Sequence, residues 1–235
     1  MDCKEFHPYP YQQFCIQHII DHPAAGLFVD MGMGKTVMTL TAFNYLKYYA
    51  WQIRRCLVIA PKKLRGNMAH RISGWQHLRH LRCSEVLGTA TQRRAAMAVD
   101  ADIYVTNRDN VQWLVKEYGK AWPFDMVVLD ESSSFKNHQA KRFKALRSMR
   151  PKIKRIVELT GTPSPHGLMD LWAQVYLLDG GQRLGRTISV YRDMYFEPDK
   201  RSRSQIFTYK ARRARQMPSM PPSVIFASAC PAMTI

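Results

Sequence analysis

The sequence predicts an α/β fold: a doubly wound parallel sheet with helices on both faces, giving three α/β/α layers. Three observations carry that expectation. Short β-rich runs alternate with helical stretches along most of the chain. Some runs, such as Met126-Val127-Val128-Leu129, are apolar at every position, as strands buried on both faces are. A glycine-rich turn also stands between the first strand and a long helix, the arrangement that places a helix N-terminus against an anion.

In chain order, Leu27-Phe28-Val29 reads as a strand, and the glycine-rich turn follows it. The next helix runs from about Lys35 to Tyr49, apolar on most sides through Val37, Leu40, Phe43, Tyr45 and Leu46. Cys56 to Ala60 is a strand stopped by Pro61. Glu85 to Leu87, Ile103 to Thr106, Met126 to Leu129 and Arg155 to Leu159 are further strands, each bounded by turn or polar residues. In such sheets ligands bind outside the carboxyl ends of the strands, and the motifs described below fall at those ends.

Between Lys141 and Arg155 there are eight basic residues and no acid. As a helix, this stretch turns Phe143, Leu146 and Met149 inward and sets Lys141, Lys144 and Ser148 on one outer face, with Arg142 beside it. That face is a candidate phosphate track. Composition changes near residue 200, dividing the chain into a domain of residues 1–200 and a tail of residues 201–235. From Arg201 onward there are six basic residues and no acid, and from Gln216 onward four prolines and no structural period. The expectation is a basic tail outside the packed domain, either disordered or, from about Lys210, the non-native product of a frameshift or truncated reading frame.

A chain of 235 residues with 46% hydrophobic content can bury a substantial core. Its net charge of +17 points to a polyanionic partner, most often nucleic acid. The five cysteines, Cys3, Cys15, Cys56, Cys83 and Cys230, are odd in number and lack CxxC spacing, which suggests neither a zinc site nor a disulfide framework. The N-terminus has no apolar signal region, and no run of about 18 apolar residues suggests a membrane span. The expected compartment is a reducing cytoplasm.

Two motifs carry chemistry. Asp30-Met31-Gly32-Met33-Gly34-Lys35-Thr36 follows a strand and opens a helix, as a phosphate loop does. Glycines at 32 and 34 let backbone N–H groups around Met33 turn toward phosphates. Lys35 is then placed for the β- and γ-phosphates of ATP, and the Thr36 hydroxyl for Mg²⁺. Val29 stands where the strict pattern has its first glycine. About a hundred residues later, an apolar strand ends in Asp130-Glu131. Asp130 is the candidate second anchor of Mg²⁺. Glu131 is the candidate base that orients and deprotonates water.

These motifs resemble, in order, those of the first RecA-like lobe of superfamily-two helicases and translocases, within them the Swi/Snf-like group. Gly26 to Thr36 is similar to that group's motif I, Ile59-Ala60-Pro61-Lys62 to motif Ia and Thr106-Asn107-Arg108-Asp109 to motif Ib. Asp130-Glu131-Ser132-Ser133 is similar to motif II, and Leu159-Thr160-Gly161-Thr162-Pro163 to motif III. Leu168 to Trp172 resembles the segment after motif III, and Tyr11-Gln12 the adenine-contacting pair upstream of motif I. The style is that of compact helicases from bacteriophages and prophages, and the resemblance covers about residues 8 to 200. Ser132-Ser133 departs from the histidine common in motif II, and Ser164-Pro165-His166-Gly167 from the usual asparagine-rich turn.

The resemblance implies a RecA-like phosphate-loop ATPase lobe that couples ATP hydrolysis to movement along DNA or RNA. It implies that Gln12 reads the adenine edge with Tyr11 beside it. Lys62, Arg65, Asn107 and Arg108 are implied to touch backbone phosphates, and Thr160 and Thr162 to link the ATP site to the nucleic-acid surface. Motifs IV to VI, with the arginine finger of a second RecA-like lobe, are not found, so the expected activity alone is weak or nil. Two other readings stand beside this one: a nucleotide- and nucleic-acid-binding module without turnover, and an ordinary phosphate-loop kinase. The kinase leaves Thr160-Gly161-Thr162-Pro163 and the +17 charge without a role.

Overall fold

The computed structural model describes residues 3–61, 68–161, 168–199, 209–212 and 224–226. Its helices are α1 (Pro10–Asp21), α2 (Lys35–Tyr48), α3 (Met68–Ser73), α4 (Ala90–Ala98), α5 (Val111–Tyr118), α6 (Lys141–Met149), α7 (Leu171–Asp179) and α8 (Ile188–Tyr195). The strands are β1 (Ala24–Phe28), β2 (Cys56–Ala60), β3 (Cys83–Glu85), β4 (Ile103–Asn107), β5 (Met126–Asp130), β6 (Arg155–Leu159), β7 (Phe196–Pro198), β8 (Tyr209–Ala211) and β9 (Val224–Phe226). Seven of them make a parallel sheet in the order β3-β4-β2-β5-β6-β1-β9, and β7 pairs antiparallel with β8. The predicted doubly wound α/β architecture is the one observed.

Strands β2, β4 and β6 are buried at every position because helices cover both faces. Alternate residues feed separate cores. Leu57, Ile59, Val127, Leu129 and Ile156 pack with Leu114 of α5, Phe143 of α6 and Trp172 of α7. Cys56, Val58, Val128, Val157 and Leu159 pack with Ile19 of α1, Phe43 of α2 and Ile72 of α3. In α2 the expected Val37, Leu40, Phe43 and Leu46 are buried, whereas Tyr45 is exposed. No described helix is long and apolar enough to cross a membrane.

Three details differ from expectation. The first strand starts earlier, at Ala24. The strand predicted at Glu85–Leu87 lies at Cys83–Glu85. Its ladder stops there because the Val86 carbonyl accepts from Thr106 Oγ1 (2.9 Å) and Asn110 Nδ2 (3.3 Å) instead. Beyond residue 200, where no regular structure is expected, β8 pairs with β7 and β9 adds to β1 through Gly26, Leu27 and Phe28.

One core residue resists burial. Glu158 of β6 is fully buried, in register with Leu129 on one side and Gly26 on the other. The neighbouring Ser132 hydroxyl gives its hydrogen to Gln174 Oε1 (2.9 Å). Burial pushes the Glu158 carboxyl well above the usual carboxylate range, against the opposing pull of Ser132 and Arg150. In the unfolded chain a glutamate ionises near pH 4.3. Between that pH and the raised folded value the unfolded state binds fewer protons, so stability falls as pH rises. Glu158→Gln, which cannot ionise, is expected to gain stability relative to the wild type as pH rises toward about 8, with the gap closing toward pH 4. Urea melts across that range check this; a gap that widens toward low pH refutes it.

Candidate nucleotide and phosphate site

The loop between β1 and α2 is shaped by its glycines. Gly32 and Gly34 hold φ of 82° and 80°, left-handed values that cost a residue with a Cβ about 1 kcal/mol. At Gly34 a Cβ would also stand 2.7 Å from Gln12 Nε2, so the Gln12 amide would have to shift. Helix α2 begins at Lys35, so its first-turn N–H groups and positive dipole end meet the loop. Lys35 Nζ donates to the carbonyls of Val29 and Asp30, both at 2.8 Å. Burial pulls the Lys35 pKa down, while Glu131, Asp130 and Asp30 pull it up.

The acid pair arrives from β5, two places along the sheet, with β6 between β5 and β1. Leu159 of β6 is in register with Leu27 on one side and Asp130 on the other. The residues after β6 therefore lie between the loop and the acids. Thr160 is buried and its N–H donates to the Leu27 carbonyl (3.2 Å). A Cβ on Gly161 would be 3.6 Å from Met31 N and from Val29 O, so this segment lies directly against the phosphate loop.

Asp130 and Glu131 line one cleft of about 450 Å³ with Met31, Gly32, Gly34, Lys35 and Thr36. Burial, then the Glu131 charge, pushes the Asp130 carboxyl up; Arg71 and Lys35 oppose this. Glu131 has φ 60°, a left-handed value for a non-glycine residue, of the kind that concentrates at functional sites. Thr36 hydroxyl and Asp130 carboxylate are hard oxygen donors, the type Mg²⁺ takes alongside phosphate oxygens. No cluster of three or more His, Cys, Asp or Glu suited to a metal occurs among the described residues.

Tyr11 and Gln12 also reach this loop. Tyr11 Oη donates to the Met33 carbonyl (3.2 Å), and Gln12 Nε2 approaches the same oxygen at 3.3 Å. Gln12 Oε1 accepts from Tyr9 N–H (3.1 Å), which caps α1. The pair thus braces the loop from α1.

Of the residues expected to touch nucleic acid, Lys62 and Arg65 lie outside the described residues, as does Thr162. Asn107 is buried, and its Oδ1 accepts from the N–H groups of Asp109 (3.0 Å) and Asn110 (3.1 Å). It shapes the turn, and the exposed Arg108 is the member of that pair presented outward. Arg108 lines a second cleft of about 590 Å³ with Pro61, Glu131, Ser133, Ser134, Lys136, Asn137 and Arg142. Glu131 therefore borders both clefts.

The basic stretch from 141 to 155 divides. On α6, Phe143, Leu146 and Met149 face inward as expected. Beyond α6, Arg150 donates to the Leu177 and Leu178 carbonyls, Lys152 to Gly119, Lys154 pairs with Asp125, and Arg155 donates to Ile19. These four hold elements together. Sequence reasoning misses Arg71 altogether. It lies on α3 and lines the smaller cleft together with Trp75, its Nη1 3.4 Å from Thr36 Oγ1.

Comparison with known proteins gives one consistent result. Residues 11–194 match the model of the SNF2-related domain. Protein p41 of Acyrthosiphon pisum secondary endosymbiont phage 1 is 38% identical over 201 residues, covering 83% of this chain and 44% of that one. The ISWI chromatin-remodeling complex ATPase ISW1 of Saccharomyces cerevisiae is 25% identical over 180 residues, covering 72% of this chain and 15% of that one. Among solved structures, the Sulfolobus solfataricus SWI2/SNF2 ATPase core in complex with dsDNA superposes with a TM-score of 0.71 at 27% identity, covering 81% of this chain and 39% of that one. The chain thus spans less than half the length of each of these relatives.

Proposed function

The chain belongs to the SNF2-related domain family, and on that premise we propose that it is the ATP-binding lobe of a translocase that couples ATP hydrolysis to movement on DNA. The observation that supports this most is the single cleft that gathers Lys35, Thr36, Asp130 and Glu131 from two strands separated by β6. Lys35 and the first-turn N–H groups of α2 hold the phosphates. Thr36 and Asp130 hold Mg²⁺, which neutralises charge on the β- and γ-phosphates when bound. Glu131 takes the proton of the attacking water. Tyr11 and Gln12 border the adenine side, having already fixed the loop through Met33.

The neighbouring cleft bordered by Arg108, Lys136 and Arg142 is the proposed path of the nucleic-acid backbone. Because Glu131 borders both clefts, a strand bound in one changes the surroundings of the base in the other. Thr160, buried at the end of β6 between β1 and β5, is the proposed relay. A neighbour solved with dsDNA supports duplex DNA as the track. Contacts of this kind are to phosphates, so binding should be nearly blind to sequence and steeply salt-dependent, each neutralised phosphate adding about 0.9 to the slope of log K against log salt.

A second reading has its own support. The chain spans less than half of its relatives' length, and the transition-state arginine of this class, when supplied by another lobe, is worth about 10³ to 10⁵ in rate. On that reading the lobe binds nucleotide and DNA but turns over only when a second RecA-like lobe is joined to it. ATP turnover with and without DNA, with and without that lobe, separates the two. Stimulation by DNA in the chain alone supports the first reading, and stimulation only with the added lobe supports the second. A shallow salt slope, or DNA-independent transfer of phosphate to a small molecule, overturns both.

A further inference from the structure

Helix α3 carries a cation into the phosphate cleft. Met68 and Ile72, four residues apart, are both buried and anchor α3 to the sheet. Arg71, beside Ile72, lines the cleft with Lys35, Thr36, Asp130 and Glu131. The turn after α3 is braced from outside: Lys4 N–H donates to Gly74 O (2.9 Å), Gln76 N–H to Lys4 O (3.0 Å), and Phe6 packs edge-on against Trp75. Arg71 Nη1 approaches Thr36 Oγ1 at 3.4 Å, and Arg71 and Asp130 line the same cleft. The guanidinium therefore lies in the cleft that holds the two oxygen groups suited to a hard cation, beside one of them, Thr36 Oγ1.

A cation at Thr36 and Asp130 would compete with the guanidinium for those oxygens. The anions left to it in that cleft would be Glu131 and a terminal phosphate, and the phosphate is the one an arginine can hold with two parallel N–H bonds. We propose that Arg71 is a phosphate-binding residue supplied by this lobe itself, moving from Thr36 and Asp130 to the terminal phosphate and so making the lobe prefer a nucleoside triphosphate over a diphosphate. The proposal rests on the nucleotide-binding reading given above.

Fluorescent ATP and ADP derivatives titrated in Mg²⁺ against the whole chain, Arg71→Ala and Arg71→Lys test it. Arg71→Ala is expected to weaken ATP binding at least roughly tenfold, since one or both of the charge-assisted hydrogen bonds of the fork are lost, and ADP binding less than about threefold. Arg71→Lys, which keeps the charge but not the fork, should recover part of the ATP affinity. The ratio of the two affinities is the readout, because a loosened fold lowers both together. An unchanged ratio in Arg71→Ala overturns the proposal alone. Wild-type protein that binds neither nucleotide overturns it together with the nucleotide-binding reading.

Discussion

Lys35→Ala is expected to weaken nucleotide binding by more than about a hundredfold, since at least two charge-assisted hydrogen bonds to phosphate are lost at about 1.5–3 kcal/mol each. The side chain is prepared for that role by its surroundings. Burial disfavours its charge, and the acids Glu131, Asp130 and Asp30 restore it. Its present partners, the Val29 and Asp30 carbonyls, are neutral acceptors that a phosphate outcompetes. Removing the ammonium leaves two acids, Asp130 and Glu131, lining the cleft with Arg71 as its remaining cation among the described residues. The fold should survive, because the two bonds lost are to carbonyls of the loop itself. Calorimetric titration of ATP, beside a thermal melt of the same variant, measures both. Unchanged affinity removes Lys35 from the site.

What the sequence revealed followed from where its signals are local. A strand buried on both faces must be apolar throughout, so Met126 to Leu129 declared itself, as did Cys56 to Ala60. The phosphate loop was legible because its glycines answer a backbone demand that few other residues meet. Glu131 was legible as a carboxylate at a strand end, though its left-handed backbone was not.

The misses share a physical cause, which is that long-range pairing leaves little trace in local pattern. Strand β9 is three residues long, too short for an alternating pattern to announce it among the neighbouring prolines. Arg71 sits on a six-residue helix too short to show amphipathic spacing. It meets Thr36 only because the chain returns across the sheet after β2. Charge pattern alone does not separate roles: the basic stretch that holds the candidate track face of Lys141 and Lys144 also holds Arg150, Lys152, Lys154 and Arg155, which serve backbone carbonyls and one carboxylate. Asn107 was expected at a phosphate, but an asparagine after a strand can equally fold its oxygen back on the next N–H groups, and here it does.

Glu131→Gln is expected to leave ATP binding within about twofold of the wild type and to lower turnover by about 10²–10⁴, the usual worth of a positioned base. The amide has the shape of the carboxylate and can orient water, but it cannot accept the water's proton. It also carries the same backbone cost at φ 60°, so any difference in rate reports the side chain and not relief of strain. Glu131→Gly supplies the complement. Glycine holds a left-handed φ without the ~1 kcal/mol penalty, so that variant should keep its fold while losing turnover as fully as the glutamine. Binding should tighten slightly in both, because one of the two carboxylates facing the phosphates has lost its charge. The rates are to be read with DNA present and a second RecA-like lobe joined to the chain, where the wild type sets the scale. Normal turnover in Glu131→Gln under those conditions assigns the base elsewhere. A loss of binding that matches the loss of turnover makes Glu131 part of the scaffold rather than the chemistry.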